Sequence, residues 1–365
     1  MKPFQVHLFS EEGRIPESVP PEPSFVYGNK RYLNFLHMDC LHMKNSEYLR
    51  ETARMNIEAR GIVPTDSRAE IMANLQGVMR EVKRLESLLF FPDEVSMMFA
   101  LVSIFGPKTT FFVDYESSSS LLNVLQYRNI EYYDFRDLDQ LRRLLGAHAE
   151  KVMFVDGIYD WLGNISPANE LVRIAHENEC VIVANELSSF GLLGREGRGF
   201  VDLCNAYEDI NIDIGSFSKY LGGFGCYLGS KKYMINKIRE NVGHITDFAP
   251  QFMLAVNLAG LEMIKETGRN KERYNKIWKN SRYFITNLKQ MGFKTVSETP
   301  LAVVVFGNNE EAGEFTKKLI DEQVIAAQKK ERIRLCLSVE HSKEDLDFCL
   351  HKFEIIGNAL GIVKT

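Results

Sequence analysis

Short, mostly apolar strands alternate with helical patterns through the middle of the chain. The strands are predicted at 111–113, 130–134, 152–155, 181–184 and 212–215. Helices are predicted between them, including 138–147 and 168–179. Buried strands that alternate with helices are typical of a mostly parallel sheet covered on both faces. The sequence therefore predicts an α/β fold whose candidate site lies just beyond the carboxyl ends of the strands.

The two ends of the chain differ from the middle in composition and in their predicted elements. Residues 1–24 are rich in proline and glutamate, and a strand pair is predicted around Gly28 and Asn29. The chain beyond the middle region is predicted to contain a charged helix or helix pair at 260–289, strands at 301–306 and 333–339, and a helix that begins at Ser342. Helices are also predicted at 45–60 and 69–88. We therefore predict three regions: an N-terminal arm with short strands at 1–44, a large domain at 45–269, and a small α+β domain at 270–365.

The composition argues against several classes of function but does not indicate a particular one. Hydrophobic residues make up 45% of the chain and charged residues 25%, as in ordinary globular proteins. The net charge of −5 gives no electrostatic reason to expect a nucleic-acid partner. The six cysteines form no CxxC pair, so we expect free thiols and no metal site. No run approaches about 20 consecutive apolar residues, and we expect a cytoplasmic protein.

The most distinctive stretch is 211–230, which reads NIDIGSFSKYLGGFGCYLGS. Lys219 follows a strand and a tight turn, and the hydroxyls of Ser216 and Ser218 could hydrogen-bond an anion such as a phosphate. An apolar turn disfavours the charged form of a lysine, so the neutral amine that a Schiff base needs becomes accessible. The alternative is an ordinary glycine-rich turn with a solvated lysine.

Four segments resemble the motifs of one enzyme family. The pairs are GSFSKYLGGFG with GTFSKxxGxxGG, DGIYDWLGNISPANELV with EGxYSMxGxxxPLxEIV, VANELSSFGLLGREGRG with VDEAHSxGVLGxxGRG, and IRLCLSVEHSKED with LRxxLxAxHTxED. The family is the α-oxoamine synthases, pyridoxal-phosphate enzymes of fold type I that condense an amino acid with an acyl thioester and release carbon dioxide. The resemblance implies a large domain on a mostly parallel sheet and a smaller α+β C-terminal domain.

The resemblance implies roles for four residues that match the family. Lys219 matches the lysine that forms a Schiff base with pyridoxal 5′-phosphate, and Ser216 and Ser218 match its flanking hydroxyl positions. Arg334 matches an arginine that binds the carboxylate of the amino-acid substrate. A guanidinium suits that role because it can form two parallel hydrogen bonds to a carboxylate.

Other positions depart from the family and weaken the case for cofactor binding. Asn185 replaces the carboxylate that pairs with the ring nitrogen and keeps it protonated. Ser118 replaces the histidine that stacks on the ring, and Ser188 a second histidine near the phenolic oxygen. Asp93 and Glu94 replace the glycine-aromatic pair whose backbone cradles the phosphate, and two carboxylates there would repel a dianion.

These departures resemble those of the first long-chain-base subunit of serine palmitoyltransferase, which is non-catalytic. We therefore expect a subunit of that type, in a heterodimer with a catalytic family member that joins L-serine to palmitoyl-CoA in sphingolipid synthesis. Such a partner could bring the chain to the endoplasmic reticulum membrane. Two alternatives stay open: a homodimeric α-oxoamine synthase that uses Lys219, and a scaffold that binds no cofactor.

Overall fold

The structure is a computed structural model that describes residues 19–62, 68–117, 119–243, 249–265 and 271–363. The chain divides into two compact units. The sheet unit comprises Met43–Asp160 and Ser166–Lys271, and the terminal unit comprises Met1–His42, Trp161–Ile165 and Glu272–Thr365. The domain boundaries predicted after residues 44 and 269 stay a prediction.

Strands and helices alternate along most of the described chain. The strands are β1 (Ser24–Tyr27), β2 (Lys30–Asn34), β3 (Ser87–Phe91), β4 (Thr110–Asp114), β5 (Asn129–Tyr133), β6 (Lys151–Asp156), β7 (Val181–Glu186), β8 (Ile212–Ser216), β9 (Cys226–Ser230), β10 (Leu301–Val305), β11 (Val324–Ile325), β12 (Ala327–Lys329) and β13 (Arg332–Cys336). The helices are α1 (Glu47–Arg60), α2 (Arg68–Lys83), α3 (Glu94–Val102), α4 (Ser119–Leu125), α5 (Leu138–Gly146), α6 (Ala168–Glu177), α7 (Phe200–Cys204), α8 (Lys232–Val242), α9 (Gln251–Lys265), α10 (Lys271–Gln290), α11 (Asn309–Asp321) and α12 (Lys343–Ala359). None of these described helices is both long and apolar enough to cross a membrane.

The sheet unit is built on seven strands in the order β3-β9-β8-β7-β6-β4-β5. Strands β8, β7, β6, β4 and β5 pair in parallel in that order, whereas β9 is antiparallel to both β3 and β8. Alternate residues of a strand enter separate cores, because successive side chains point to opposite faces. Leu89 and Phe91 pack with residues of α3, α4 and α8, and Leu88 and Phe90 with residues of α2 and α9. The predicted α/β fold with a mostly parallel, doubly covered sheet is confirmed.

The parallel strands bring their polar ends to one edge of the sheet. Asp114, Asp156 and Glu186 are the last residues of β4, β6 and β7, and all three are buried. Asp156 lies beside Asn185 in the register of β6 and β7. Strand β8 lies next to β7 and ends at Ser216, and Lys219 follows in the turn. This edge of the sheet thus carries Asn185, Ser216 and Lys219, three of the residues singled out from sequence.

The terminal unit contains two small sheets, with strand orders β10-β13-β12 and β1-β2-β11. Strand β2 pairs in parallel with β11, so N-terminal strands complete a sheet with a strand from the C-terminal third of the chain. Helix α12 begins with the predicted capping box, in which the Ser342 side chain accepts from the Asp345 backbone N–H and the Asp345 side chain accepts from the Ser342 backbone N–H. The predicted strand pair is present as β1 and β2.

Two predicted helices have different bounds in the structure. The helix predicted at 69–88 ends at Lys83, because Leu88 belongs to β3, the outermost strand of the large sheet. The charged region predicted as one helix or two is two helices, α9 and α10. The helices α3, α7, α8 and α11 were not predicted from sequence. Helix α3 lacks an amphipathic stripe because five of its nine residues are buried.

Candidate active site

Lys219 lies in the turn that follows β8, and its amine is surrounded by polar groups. The Nζ donates to Ser188 Oγ at 2.7 Å and to Asp160 Oδ2 at 3.4 Å. The Lys219 side chain is 19% exposed and that of Asp160 is 13% exposed. Gly222 closes the turn with a φ of +66°, and a Cβ there would come within 2.7 Å of the Met43 carbonyl. The lysine is therefore held in place, but its amine lies among hydroxyl and carboxylate oxygens rather than in the apolar turn expected from sequence.

The two hydroxyls that flank the lysine turn face each other. Ser216 Oγ and Ser218 Oγ are 2.9 Å apart, and the Ser218 backbone N–H donates to Ser216 Oγ at 3.2 Å. Ser216 is buried, and its hydroxyl has a further, long contact of 3.5 Å with the Gly225 carbonyl. Because a hydroxyl can both donate and accept, the pair can turn its protons towards an anion. The two hydroxyls thus lie side by side at the turn that carries Lys219, and their role as donors to an anion stays a prediction.

Asn185 belongs to a buried polar chain on the neighbouring strands. Its Nδ2 donates to Asp156 Oδ1 at 2.5 Å, and its Oδ1 accepts from the Leu187 backbone N–H at 3.3 Å. The hydroxyl of Ser117 donates to Asp156 Oδ2. Reversing the Asn185 amide would place its oxygen against the carboxylate, so these two contacts fix the orientation of the amide.

Two buried carboxyl groups at this edge of the sheet, those of Asp156 and Asp114, have raised pKa values. Burial raises the pKa of Asp156 to about 7 against the hydrogen bond from Ser117, and the charge of Asp160 pushes it in the same upward direction. Burial also raises the pKa of Asp114 to about 7, although the backbone N–H groups of Glu116 and Phe135 donate to it at 2.8 Å and 2.7 Å. Strongly raised carboxyl pKa values cluster at functional sites, because such sites are buried and crowded with charge.

Comparison with known proteins relates this arrangement to one family. The profile of the family described as aminotransferase class I and II matches residues 41–353. The chain belongs to this family. Pyridoxal phosphate is the family's cofactor, and the prediction of that cofactor from sequence is confirmed at the level of the family.

The individual relatives share less than 30% sequence identity with this chain. The 8-amino-7-oxononanoate synthase of Thermosipho melanesiensis is 27% identical, over 93% of this chain and 91% of the relative. The enzyme of the same name from Fervidobacterium nodosum is 28% identical, also over 93% and 91%. Among solved structures, serine palmitoyltransferase of Sphingomonas wittichii has a TM-score of 0.82 at 19% identity, over 94% of this chain and 91% of that one. The 8-amino-7-oxononanoate synthase of Francisella tularensis has a TM-score of 0.80 at 17% identity, over 91% and 98%. These structures share the fold type I architecture predicted for this chain.

Family membership makes the N-terminus of α3 informative, since the predicted phosphate position lies there. Asp93 is the N-cap of α3, and its carboxylate accepts from the Ser96 backbone N–H at 2.7 Å. Burial raises the pKa of the Cys226 thiol to about 12, and the charges of Glu94 and Asp93 push it in the same direction. The charges of the two acids are therefore felt at Cys226, which is paired with Ser216 in the register of β8 and β9. The Asp93 side chain turns onto its own helix and takes up a backbone donor there.

The residues of the sheet unit fit the family cofactor at its aldehyde end better than at its phosphate end. At the aldehyde end, Lys219 would supply the amine, and its Nζ is already oriented by Ser188 Oγ. The α3 N-terminus offers one donor fewer to a phosphate because Asp93 already occupies Ser96 N–H. A phosphate can still be held, with the serine hydroxyls as its principal side-chain donors.

Two other residues singled out from sequence lie outside the described part of the sheet unit. Arg334 belongs to the terminal unit, where its guanidinium carbon lies 4.4 Å from the centre of the Trp161 ring. Its Nε is buried and has no hydrogen-bond partner among the residues described. Ser118 lies outside the described residues, so its predicted role stays a prediction.

Two residues near the site escaped the sequence-based reading. Asp160 contacts Lys219, and Lys83 contacts Glu186, the residue that follows Asn185. Both pairings join residues far apart along the chain, so local pattern gives no sign of them. The comparison with the resembled motif, unlike the hydrophobic pattern, does set Asp160 apart: the motif has serine at this position, and the aspartate adds a charge.

Proposed function

We propose that this chain is a pyridoxal-phosphate-dependent α-oxoamine synthase, which joins an amino acid to an acyl thioester with loss of carbon dioxide. The observation that carries the proposal is the Lys219 amine, held 2.7 Å from Ser188 Oγ at the carboxyl edge of the sheet. When bound, the cofactor supplies an electron sink for the carbanion at the amino-acid Cα. The relatives named 8-amino-7-oxononanoate synthase support this reaction class.

The residues of the sheet unit divide the work of holding and reacting. Lys219 would hold the cofactor through its nucleophilic amine, and Ser188 orients that amine by accepting one of its protons in a hydrogen bond. Ser216 and Ser218 would donate to the phosphate, and Asn185 stands where the resemblance assigns the carboxylate partner of the ring nitrogen. In the terminal unit, Arg334 offers its guanidinium to a substrate carboxylate. Fold type I enzymes place these sites at a dimer interface, so we propose a dimer.

A second candidate is the non-catalytic subunit of a serine palmitoyltransferase-type heterodimer. Asn185 favours it, because the amide carries no negative charge to keep a ring nitrogen protonated and is already bonded to Asp156. In this case the chain would support a catalytic partner that acts on L-serine and palmitoyl-CoA, and that partner would bring it to the endoplasmic reticulum membrane. A third candidate is a scaffold that binds no cofactor and serves only as a dimerisation partner.

One titration separates these candidates. The purified chain is mixed with pyridoxal phosphate and its absorbance is scanned through the near-ultraviolet and visible, with Lys219→Ala and the exposed-lysine control Lys232→Ala in parallel. The proposal expects a new visible band in the wild type and the control, absent in Lys219→Ala, and release of free thiol from an acyl-CoA with one member of an amino-acid panel. Absence of the band in the wild type, with thiol release only after a second family member is added, would establish the non-catalytic subunit instead.

A further inference from the structure

The carboxylate of Asp160 is placed to exchange a proton with Lys219. Its Oδ2 lies 3.4 Å from Lys219 Nζ, and both side chains are largely buried but keep some contact with solvent. Asp160 directly follows Tyr159 in the segment that enters the site after β6. The resembled motif has serine here, so this carboxylate is a feature of this chain and not of the pattern it resembles.

A lysine must lose a proton before it can attack a carbonyl carbon, because the ammonium form has no lone pair. Of the two described groups that accept hydrogen bonds from Nζ, the Ser188 hydroxyl is a poor proton acceptor, whereas the Asp160 carboxylate can take the proton directly. Position 188 is also where the resembled motif has a histidine. Compared with the motif, this chain has a hydroxyl in place of an imidazole at Ser188 and a carboxylate in place of a hydroxyl at Asp160.

We propose that Asp160 is the catalytic acid–base partner of Lys219, a role that rests on the proposed function. The Lys219 ammonium gives a proton to Asp160, and the neutral amine forms an N–C bond to the aldehyde carbon while the carbonyl π pair moves to oxygen. A proton passes from nitrogen to that oxygen, which gives a hydroxyl. Asp160 then returns its proton to the hydroxyl, the C–O bond breaks to release water, and the nitrogen lone pair completes a protonated C=N bond.

The contact differs from that of a lysine held only for structure. Lys83, in the same unit, is fully buried and lies 2.5 Å from Glu186 and 3.1 Å from Asp213. The Lys219–Asp160 distance is 0.9 Å longer than the Lys83–Glu186 distance, and neither group is fully enclosed. A long, partly solvated contact can open when the amine moves to bond, whereas a short, enclosed pair cannot do so without leaving charges unpaired.

The test measures how fast the full-length chain, stripped of cofactor, forms its adduct with pyridoxal phosphate. Stopped-flow absorbance gives the rate constant, and borohydride reduction with peptide mass spectrometry locates the adduct. We expect Asp160→Asn and Asp160→Ser to slow adduct formation by about 10²-fold or more, with the adduct still on Lys219. Added formate is expected to restore part of the rate in Asp160→Ala, because it can replace the missing carboxylate. The exposed Asp139→Asn, whose carboxylate pairs with Arg142 on the surface, is the control and keeps the wild-type rate.

The outcomes separate this inference from the proposed function. An adduct on wild-type Lys219 that forms equally fast in Asp160→Asn and Asp160→Ser overturns the acid–base role and leaves the proposed function intact. No adduct on wild-type Lys219 overturns the proposed function itself. If Asp160→Asn unfolds, the serine variant carries the comparison. A slow Asp160→Ala variant that formate leaves unchanged points to a structural role, and it also overturns the inference.

Discussion

Two lysines of the sheet unit contact carboxylates near the same strands, and they differ in almost every other respect. Lys83 is fully buried, and its Nζ contacts Glu186 at 2.5 Å, Asp213 at 3.1 Å and the Arg198 carbonyl at 3.0 Å. Lys219 has a hydroxyl at 2.7 Å, a carboxylate at 3.4 Å and partial exposure. The first amine is enclosed and the second is accessible.

The partners of Lys83 are themselves fixed by the fold. The Val201 backbone N–H donates to Glu186 at 2.9 Å, and the Tyr227 hydroxyl donates to Asp213 at 2.9 Å. Gly199 has a φ of +104°, and a Cβ there would lie 1.8 Å from Glu186 Oε2. Burial opposes the charge of Lys83, but the attraction of Asp213 and Glu186 raises its pKa, so the amine stays protonated. A lysine saturated in this way stabilises structure, and reactivity requires the looser arrangement around Lys219.

The largest expected effect separates the two lysines by stability. Lys83→Met removes the cation and leaves two carboxylates buried without their partner, so we expect the free energy of unfolding to fall by about 3–5 kcal/mol. Lys219→Met breaks one hydrogen bond and one long, partly exposed contact, so the expected fall is under about 1 kcal/mol. Urea unfolding followed by circular dichroism measures both. Equal losses in the two variants would contradict the comparison.

An intermediate effect concerns the carboxyl groups near Lys219, whose hydrogen-bond partners are neutral. The folded pKa of Asp156 is raised to about 7, above its usual value, so the folded state binds the extra proton between those two pKa values. Stability from this group is therefore full at low pH and is lost as pH rises towards 7. Asp156→Asn should reduce the fall in unfolding free energy between pH 5 and 8 by on the order of 2 kcal/mol.

The measurement is urea unfolding at each pH, with the exposed Asp139→Asn as the matched carboxylate control. Asp114 also has a folded pKa raised to about 7, chiefly by burial, so some decline with pH remains in the variant. Curves for Asp156→Asn and wild type that stay parallel from pH 5 to 8 would show that Asp156 does not carry this dependence.

The contrast between the lysines also marks how far the sequence predicts the molecule. Apolar runs and turn residues lie close together along the chain, so the alternating strands and the placement of Lys219 after β8 could be predicted. The environment of each amine depends on residues far away in sequence: Lys83 meets Glu186 across 103 positions, and Lys219 meets Asp160 across 59. Such pairs form only when the sheet assembles. The helix N-cap at Asp93 is local, but a buried helix without an amphipathic stripe conceals it.

The smallest expected effect tests whether the phosphate end of the site is less prepared than the lysine end. Asp93→Gly removes a carboxylate from the N-terminus of α3 and releases the Ser96 N–H, where an anion is favoured by up to about 1 kcal/mol. We expect the dissociation constant for pyridoxal phosphate to fall about three- to fivefold. The helix should lose only a few tenths of a kcal/mol, roughly the cost of an Asp-to-Gly cap change.

Asp137 provides the matched control for this variant. It caps α5 in the same way, with its carboxylate accepting from the Gln140 backbone N–H at 2.9 Å. Asp137→Gly should cost similar stability and leave the dissociation constant unchanged, because α5 is not the helix that the resemblance assigns to the phosphate. Absorbance titration with pyridoxal phosphate measures affinity in both variants. If Asp93→Gly binds no more tightly than Asp137→Gly, the Asp93 carboxylate does not limit phosphate binding, and the neutral Asn185 becomes the principal departure from the family.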